Sequence, residues 1–210
     1  MTTPANSMVF AVDDDASVRK SLTRLLRSAG YTSEVFESAA AFLSHPPHNG
    51  PSCVIVDVRM PGLNGIELQE HLIEQRREEQ LVFITGQGDV STCAHAMKAG
   101  AVDFLSKPFR DVELLQCIQN ALVRAAEQLR QNTERDQARR LLDLLTPREF
   151  EVMQFVTTGL LNKQIAAKLG TAEKTVKVHR GRVMQKLRVN SVAELVRLVQ
   201  KARVALAAKK

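Results

Sequence analysis

VFAVDDDASVRKSL, residues 9–22, carries four apolar residues straight into three consecutive aspartates and then into helical spacing. A short unbroken apolar run reads as a strand buried on both faces, the pattern of a parallel sheet. Adjacent carboxylates at the end of such a strand repel one another unless a cation meets them. The stretch therefore predicts a buried strand, a turn and a helix, with an acidic site where the strand ends.

Outward from it the pattern repeats. Apolar runs at 8–13, 33–36, 52–58, 81–85 and 103–107 read as five strands. Helical spacing lies between them at 17–29, 38–43, 65–77 and 90–99, and resumes at Asp111, with Gly30 and Gly100 placed where helices stop. Strand and helix in alternation predict a doubly wound α/β domain, with its ligand crevice at the carboxyl ends of a five-stranded parallel sheet. From Asp111 the helical pattern meets no Gly or Pro until Pro147. Leu115, Ile118, Leu122, Ala125, Leu129 and Asn132 form one seam along it, suited to a dimerising coiled coil or a solvated linker helix.

Charge separates the chain into parts. Residues 1–122 hold 10 Lys and Arg against 15 Asp and Glu, residues 123–145 hold 5 against 4, and residues 146–210 hold 14 against 4. The last block, with a net charge of +10, predicts a polyanionic partner for the C-terminal part alone. That block reads as four helices, at 147–157, 162–169, 172–187 and 191–207. Thr146, Pro147 and Glu149 supply cap, first position and first-turn acid, and a Gly-containing turn follows Leu169 as in a helix-turn-helix.

At 210 residues, 44% hydrophobic and 25% charged, the chain has room for two modest cores and the composition of an ordinary globular protein. Its first residues lack the basic and apolar segments of a secretion signal, and no apolar run has the length of a membrane span, so no membrane and a cytoplasmic location are expected. Cys53, Cys93 and Cys117, odd in number and without C-x-x-C spacing, read as reduced thiols.

Asp13 and Asp14 close the first strand, Asp57 the third, Thr85 the fourth and Lys107 the fifth, so a parallel sheet brings them to one edge. Carboxylates gathered there suit a hard divalent ion, and Mg²⁺ accepts one or two of them together with phosphate oxygens. The lysine and the hydroxyl then make sense as partners of an anion carried on one aspartate.

The set VDDD, VIVDVRMPGLNGIEL, VFITGQGDV and AVDFLSKPF, over residues 8–120, resembles the receiver domain of two-component response regulators. The resemblance implies a flavodoxin-like fold, with Asp57 accepting a phosphoryl group from a sensor histidine kinase. It implies Mg²⁺ or Mn²⁺ held by Asp14 directly, by Asp13 through water or Lys107, by Asp57, and by the backbone carbonyl of Arg59. It further gives Thr85 and Lys107 to the phosphoryl oxygens and makes Phe104 the aromatic that turns inward on activation. Gly86 is the small residue beside Thr85, and Arg59 and Gln87 would flank the acceptor. LTPRE, NKQIA and TVKVH, within residues 145–200, resemble the LuxR-type DNA-binding domain of FixJ-like and NarL-like regulators.

At about 100° per residue, Lys177, Val178, Gly181, Gln185 and Arg188 share a face with Lys174, while Val176, Val183 and Leu187 lie opposite. A basic face against an apolar one is what insertion into a major groove needs. The resemblance assigns base reading to Lys177, Val178 and Gly181, and phosphate contacts to Lys163, Lys174, Thr175 and His179. Gly181 offers no side chain for readout and costs about 1 kcal/mol of helix propensity.

The expected domains are a receiver over 1–122, a helical linker over 123–145 and a four-helix LuxR-type helix-turn-helix domain over 146–210. The expected function is phosphorylation-dependent promoter binding, with RNA polymerase as a further partner and a homodimer formed on phosphorylation through a surface around residues 89–125. An aspartate-nucleophile phosphatase would want a second acid at position 59, where Arg stands. A constitutive DNA-binding protein would have no use for the complete set of acids, threonine and lysine.

Overall fold

The computed structural model describes residues 4–86 and 90–207. Gln87, named above, and position 89, where the expected surface around residues 89–125 begins, lie outside the described residues. The chain divides into two compact units, Met1–Leu129 and Arg130–Lys210.

The first unit carries β1 (Met8–Val12), α1 (Ala16–Ser28), β2 (Ser33–Phe36), α2 (Ala39–Ser44), β3 (Ser52–Asp57), α3 (Gly65–Glu74), β4 (Gln80–Thr85), α4 (Val90–Lys98), β5 (Asp103–Ser106) and the start of α5 (Asp111–Leu142). All strand pairings are parallel, in the order β2-β1-β3-β4-β5. The chain leaves β1 in both directions along the sheet, so a crevice opens beyond the carboxyl ends of β1 and β3. Residues along β1 and β3 alternate between two cores. Val9, Ala11, Cys53 and Ile55 join α1 and α5 on one face, and Phe10, Val12, Val54 and Val56 join α2 and α3 on the other. Burial on both faces is why these strands read as continuous apolar runs.

The early part of the α5 seam has a local partner. Ile118 and Leu122 are buried in the core on the α1 side of the sheet and Ala125 is buried too, so the sheet covers residues that could have faced a coiled-coil partner. All three cysteines are free. Burial pushes the Cys53 thiol far up, and burial together with the Asp103 carboxylate pushes Cys117 up to about 12, so neither is poised to react.

The second unit holds the end of α5, then α6 (Pro147–Thr157), α7 (Asn162–Leu169), α8 (Glu173–Lys186) and α9 (Val192–Ala207). Val152, Val156, Ile165, Val176, Val183, Leu195 and Val199 form its core, with Leu141, Leu142 and Leu145 packed against it. Thr146 and Glu149 form a reciprocal capping box at the start of α6. α7 ends on Gly170 in the left-handed conformation, whose N–H returns to the Ala166 carbonyl, and this turns the chain into α8.

Candidate functional sites

β1 ends one residue before Asp13, and continued alternation turns that side chain inward. Asp13 is 1% exposed and Asp57, the last residue of β3, is 6% exposed. The Lys107 ammonium donates to both, at 2.8 Å to Asp13 Oδ2 and 2.9 Å to Asp57 Oδ1. The other Asp57 oxygen accepts from the Arg59 N–H at 3.0 Å, and the other Asp13 oxygen from the Asp15 N–H at 2.9 Å. Thr85, fully buried at the end of β4, accepts at its carbonyl from the Lys107 N–H at 2.6 Å. Three strands thus deliver three charged groups to one point, with the threonine bonded to the backbone of the lysine.

Electrostatics leave the site short of positive charge. Burial pushes the Asp57 carboxyl above its ordinary value and the nearby Asp13 charge adds to the rise, against the lowering effect of Lys107. Burial alone would lower the Lys107 ammonium, but its bonds to Asp13 and Asp57 outweigh this and hold it above its usual range. One ammonium serves two carboxylates, and the surplus is negative.

Asp14 and Asp15 depart from this convergence. Both are exposed, and among the described residues no group of three His, Cys, Asp or Glu lies close enough to hold a metal ion. Successive side chains in an extended segment alternate, so Asp14 faces out where Asp13 faces in. Asp15 is the N-cap of α1, accepting from the Ser17 N–H at 2.7 Å; the Ser17 side chain first, and then this backbone bond, hold its carboxyl below its ordinary value.

The available donors nonetheless fit a hard cation. They are carboxylate oxygens, the two buried carboxylates share a single ammonium, and Asp14 follows Asp13 directly in the chain. Phe104 is half-buried and packs against Phe83 with ring centroids 6.2 Å apart. Gly86 is exposed, and a Cβ there would meet open space.

Two contributors escape sequence reasoning. A Cβ on Gly65 would lie 2.4 Å from the Asp57 carbonyl oxygen, so only glycine lets the start of α3 close on the end of β3. Arg19, on α1, donates to the Asp13 and Asp14 carbonyls, each at 2.8 Å. Neither contact has a signature in spacing, since both join side-chain space on one element to backbone on another.

In the second unit Lys163, Lys174, Thr175, Lys177, Val178 and Gly181 are exposed, and Val176, Val183 and Leu187 are buried. His179 is half-buried, with Nδ1 buried and unpartnered. Arg188 does not continue this face: α8 stops at Lys186, and Arg188 has a positive φ of 55°, so a helical angle no longer describes its direction. Arg180 donates to Asn162 Oδ1 at 3.1 Å, fixing α8 to the start of α7. Lys186 bonds Glu149 Oε2 at 2.6 Å and the Leu144 carbonyl at 3.1 Å, tying the far end of α8 to the α6 cap.

Comparison with known proteins agrees with both halves. Residues 9–119 match the response regulator receiver domain, and residues 143–199 match the bacterial regulatory proteins of the luxR family. The chain is 47% identical to nodulation protein W of Bradyrhizobium diazoefficiens over 91% of its length and 85% of that protein's. It is 41% identical to the transcriptional regulatory protein FixJ of the same organism, covering 96% of this chain and 98% of that one. Among solved structures, the response regulator StyR aligns over 94% of this chain and 100% of its own, at 49% identity and a TM-score of 0.83. The receiver fragment of FixJ covers 57% of this chain and 95% of its own, at 39% identity and a TM-score of 0.53. The chain belongs to the response regulators of the FixJ/NarL type, in which a flavodoxin-like receiver is joined to a LuxR-type helix-turn-helix domain. It is a phosphorylation-dependent transcriptional regulator of a two-component system, from a family of DNA-binding regulators, and its receiver and DNA-binding domains imply a histidine kinase and promoter DNA as partners.

Proposed function

We propose that Asp57 is the phosphoacceptor. The observation that carries this is the Lys107 ammonium bonded to both buried carboxylates at the carboxyl edge of the sheet. A carboxylate oxygen of Asp57 attacks phosphorus, a P–O bond to the aspartate forms, and the bond to the donor breaks with its electron pair leaving on the donor. Asp13, Asp14, Asp57 and the Arg59 carbonyl would hold Mg²⁺ or Mn²⁺, which when bound would supply neutralisation of charge on the transferred group. Lys107 pairs with a phosphoryl oxygen, and the Thr85 hydroxyl donates to another. Arg59, exposed beside the acceptor, governs the approach of water and hence any self-dephosphorylation.

Movement of Thr85 and Phe104 toward the phosphoryl group alters the α4–β5–α5 surface. Exposed apolar side chains there, Met97 on α4 and Val112 and Val123 on one side of α5, support a homodimer formed on phosphorylation. Residues 1–122 act as receiver, 123–145 as helical linker and 146–210 as the DNA-binding domain, which recruits RNA polymerase at the promoter in the cytoplasm. Lys177, Val178 and Gly181 face base edges, and Lys163, Lys174, Thr175 and His179 meet phosphates.

Incubation with acetyl phosphate and Mg²⁺ is expected to give a base-labile phosphoryl adduct that disappears in Asp57→Asn. An adduct that persists in that variant, or none in the native chain, overturns the acceptor assignment. Lys177→Ala is expected to relax sequence selection at fixed salt. Unchanged promoter binding would remove α8 from its role.

A further inference from the structure

The turn that carries the acidic residues is held by a chain of hydrogen bonds, and Arg19 is its outermost member. The Asp15 N–H donates to Asp13 Oδ1 at 2.9 Å, and the Ser17 N–H to Asp15 Oδ1 at 2.7 Å. Arg19 Nη1 donates to the carbonyls of both Asp13 and Asp14 at 2.8 Å, while the Arg19 N–H bonds the Asp15 carbonyl at 3.0 Å. Those two carbonyls lie in the gap between the end of β1 at Val12 and the start of α1 at Ala16, outside both ladders. A guanidinium satisfying two successive carbonyls fixes two peptide planes at once, and so fixes the directions in which the Asp13 and Asp14 side chains leave the backbone.

We propose that Arg19 is a positioning residue for the divalent cation: it presets the Asp13–Asp14 backbone so that one carboxylate points inward to Lys107 and the next is presented free for the metal. This rests on the assignment of the acidic pair to the cation given above. Arg19 does not touch the metal or the transferred group. Its effect passes through the backbone, as outer partners of metal ligands commonly act. Charge alone predicts the opposite sign, because a cationic side chain beside the pair repels a second cation, and removing it would tighten metal binding. The direction of the change therefore separates positioning from electrostatics.

The test uses the full-length chain without phosphodonor, titrated with Mn²⁺, the free ion being followed by electron paramagnetic resonance. Arg19→Ala is expected to weaken Mn²⁺ binding by about tenfold or more. Arg19→Lys, which keeps the charge and a donor, is expected to fall between the two, and the phosphorylation rate of Arg19→Ala at saturating Mg²⁺ to return toward the native value. Equal or tighter binding in Arg19→Ala overturns the inference. So does an Arg19→Lys variant that binds no better than Arg19→Ala, or, should the alanine variant fail to fold, one that binds as tightly as the native chain. Loss of affinity in Asp14→Ala verifies the metal assignment separately. If the native chain binds no Mn²⁺, or Asp14→Ala binds as the native chain does, that assignment falls and the role of Arg19 with it.

Discussion

Lys107 and Gly65 act on Asp57 in opposite ways, one by adding a charge and the other by lacking a side chain. The lysine was legible because a basic residue closing an apolar run is conspicuous. The glycine was not, because its importance lies in a distance of 2.4 Å between a Cβ it does not have and a carbonyl eight residues earlier. Its other near neighbours, Val58 Cα at 3.1 Å and the Asp57 carbonyl carbon at 3.2 Å, are also backbone, so no side-chain rotation relieves the contact. Gly65→Ala is expected to cost about 1–3 kcal/mol in urea unfolding of the receiver and to slow labelling by acetyl phosphate. Native values for both would show that the junction of β3 and α3 yields at no cost. The inward and outward turns of Asp13 and Asp14 were likewise hidden, since the sequence displays two adjacent and equal acids where the structure makes one buried and the other exposed.

At the level of elements, capping residues and turn glycines marked most boundaries to within a residue or two, as at α6 and α7, whereas α3 stops at Glu74, three residues short of the expected 77. What failed was continuation: the face of α8 was extended to Arg188, two residues past the end of the helix, and the α5 seam was visible while its partner was not. Periodicity reports that a face is apolar and is silent about what covers it. The α6 cap shows what tertiary structure adds to a local signal. Thr146 and Glu149 form the motif the sequence displays, but Lys186, 37 residues on, completes it. That ammonium, with the Thr146 N–H, holds the Glu149 carboxyl at about 2, below its ordinary 4.5. A depressed carboxyl contributes stability that is fully present above about pH 4.5 and is lost as pH falls toward about 2. Acid unfolding of the native chain, followed by circular dichroism, is expected to show this loss in the helical unit. Glu149→Gln should start less stable near neutral pH and show a shallower dependence across that window; an unchanged profile would mean the ion pair contributes nothing net.

Over the whole molecule, charge was the property most fully readable, because it sums along the chain without reference to fold. The net of −5 over residues 1–122 and +10 over residues 146–210 assigns the polyanion to the second unit before any helix is placed. It also predicts a steep dependence of promoter affinity on salt through release of counterions. Lys163→Ala and Lys174→Ala are each expected to weaken binding to specific and random duplexes alike and to reduce the log–log salt slope by about one. A loss confined to the specific site would make them base readers instead. The division between units was less legible, since it falls inside α5, where the helical pattern runs on without a break and Ala125 and Ala138 are buried in different units. The sheet has a further consequence, for colloidal behaviour. Its two open edges, β2 and β5, are only four residues each, and β2 presents the exposed Glu34. Short, charged edges offer poor templates for another copy's strand. Glu34→Val, which turns β2 into an uncharged Ser-Val-Val-Phe, is expected to raise light scattering during refolding while leaving the folded state soluble, and scattering equal to the native chain's would show that edge length alone is protection enough.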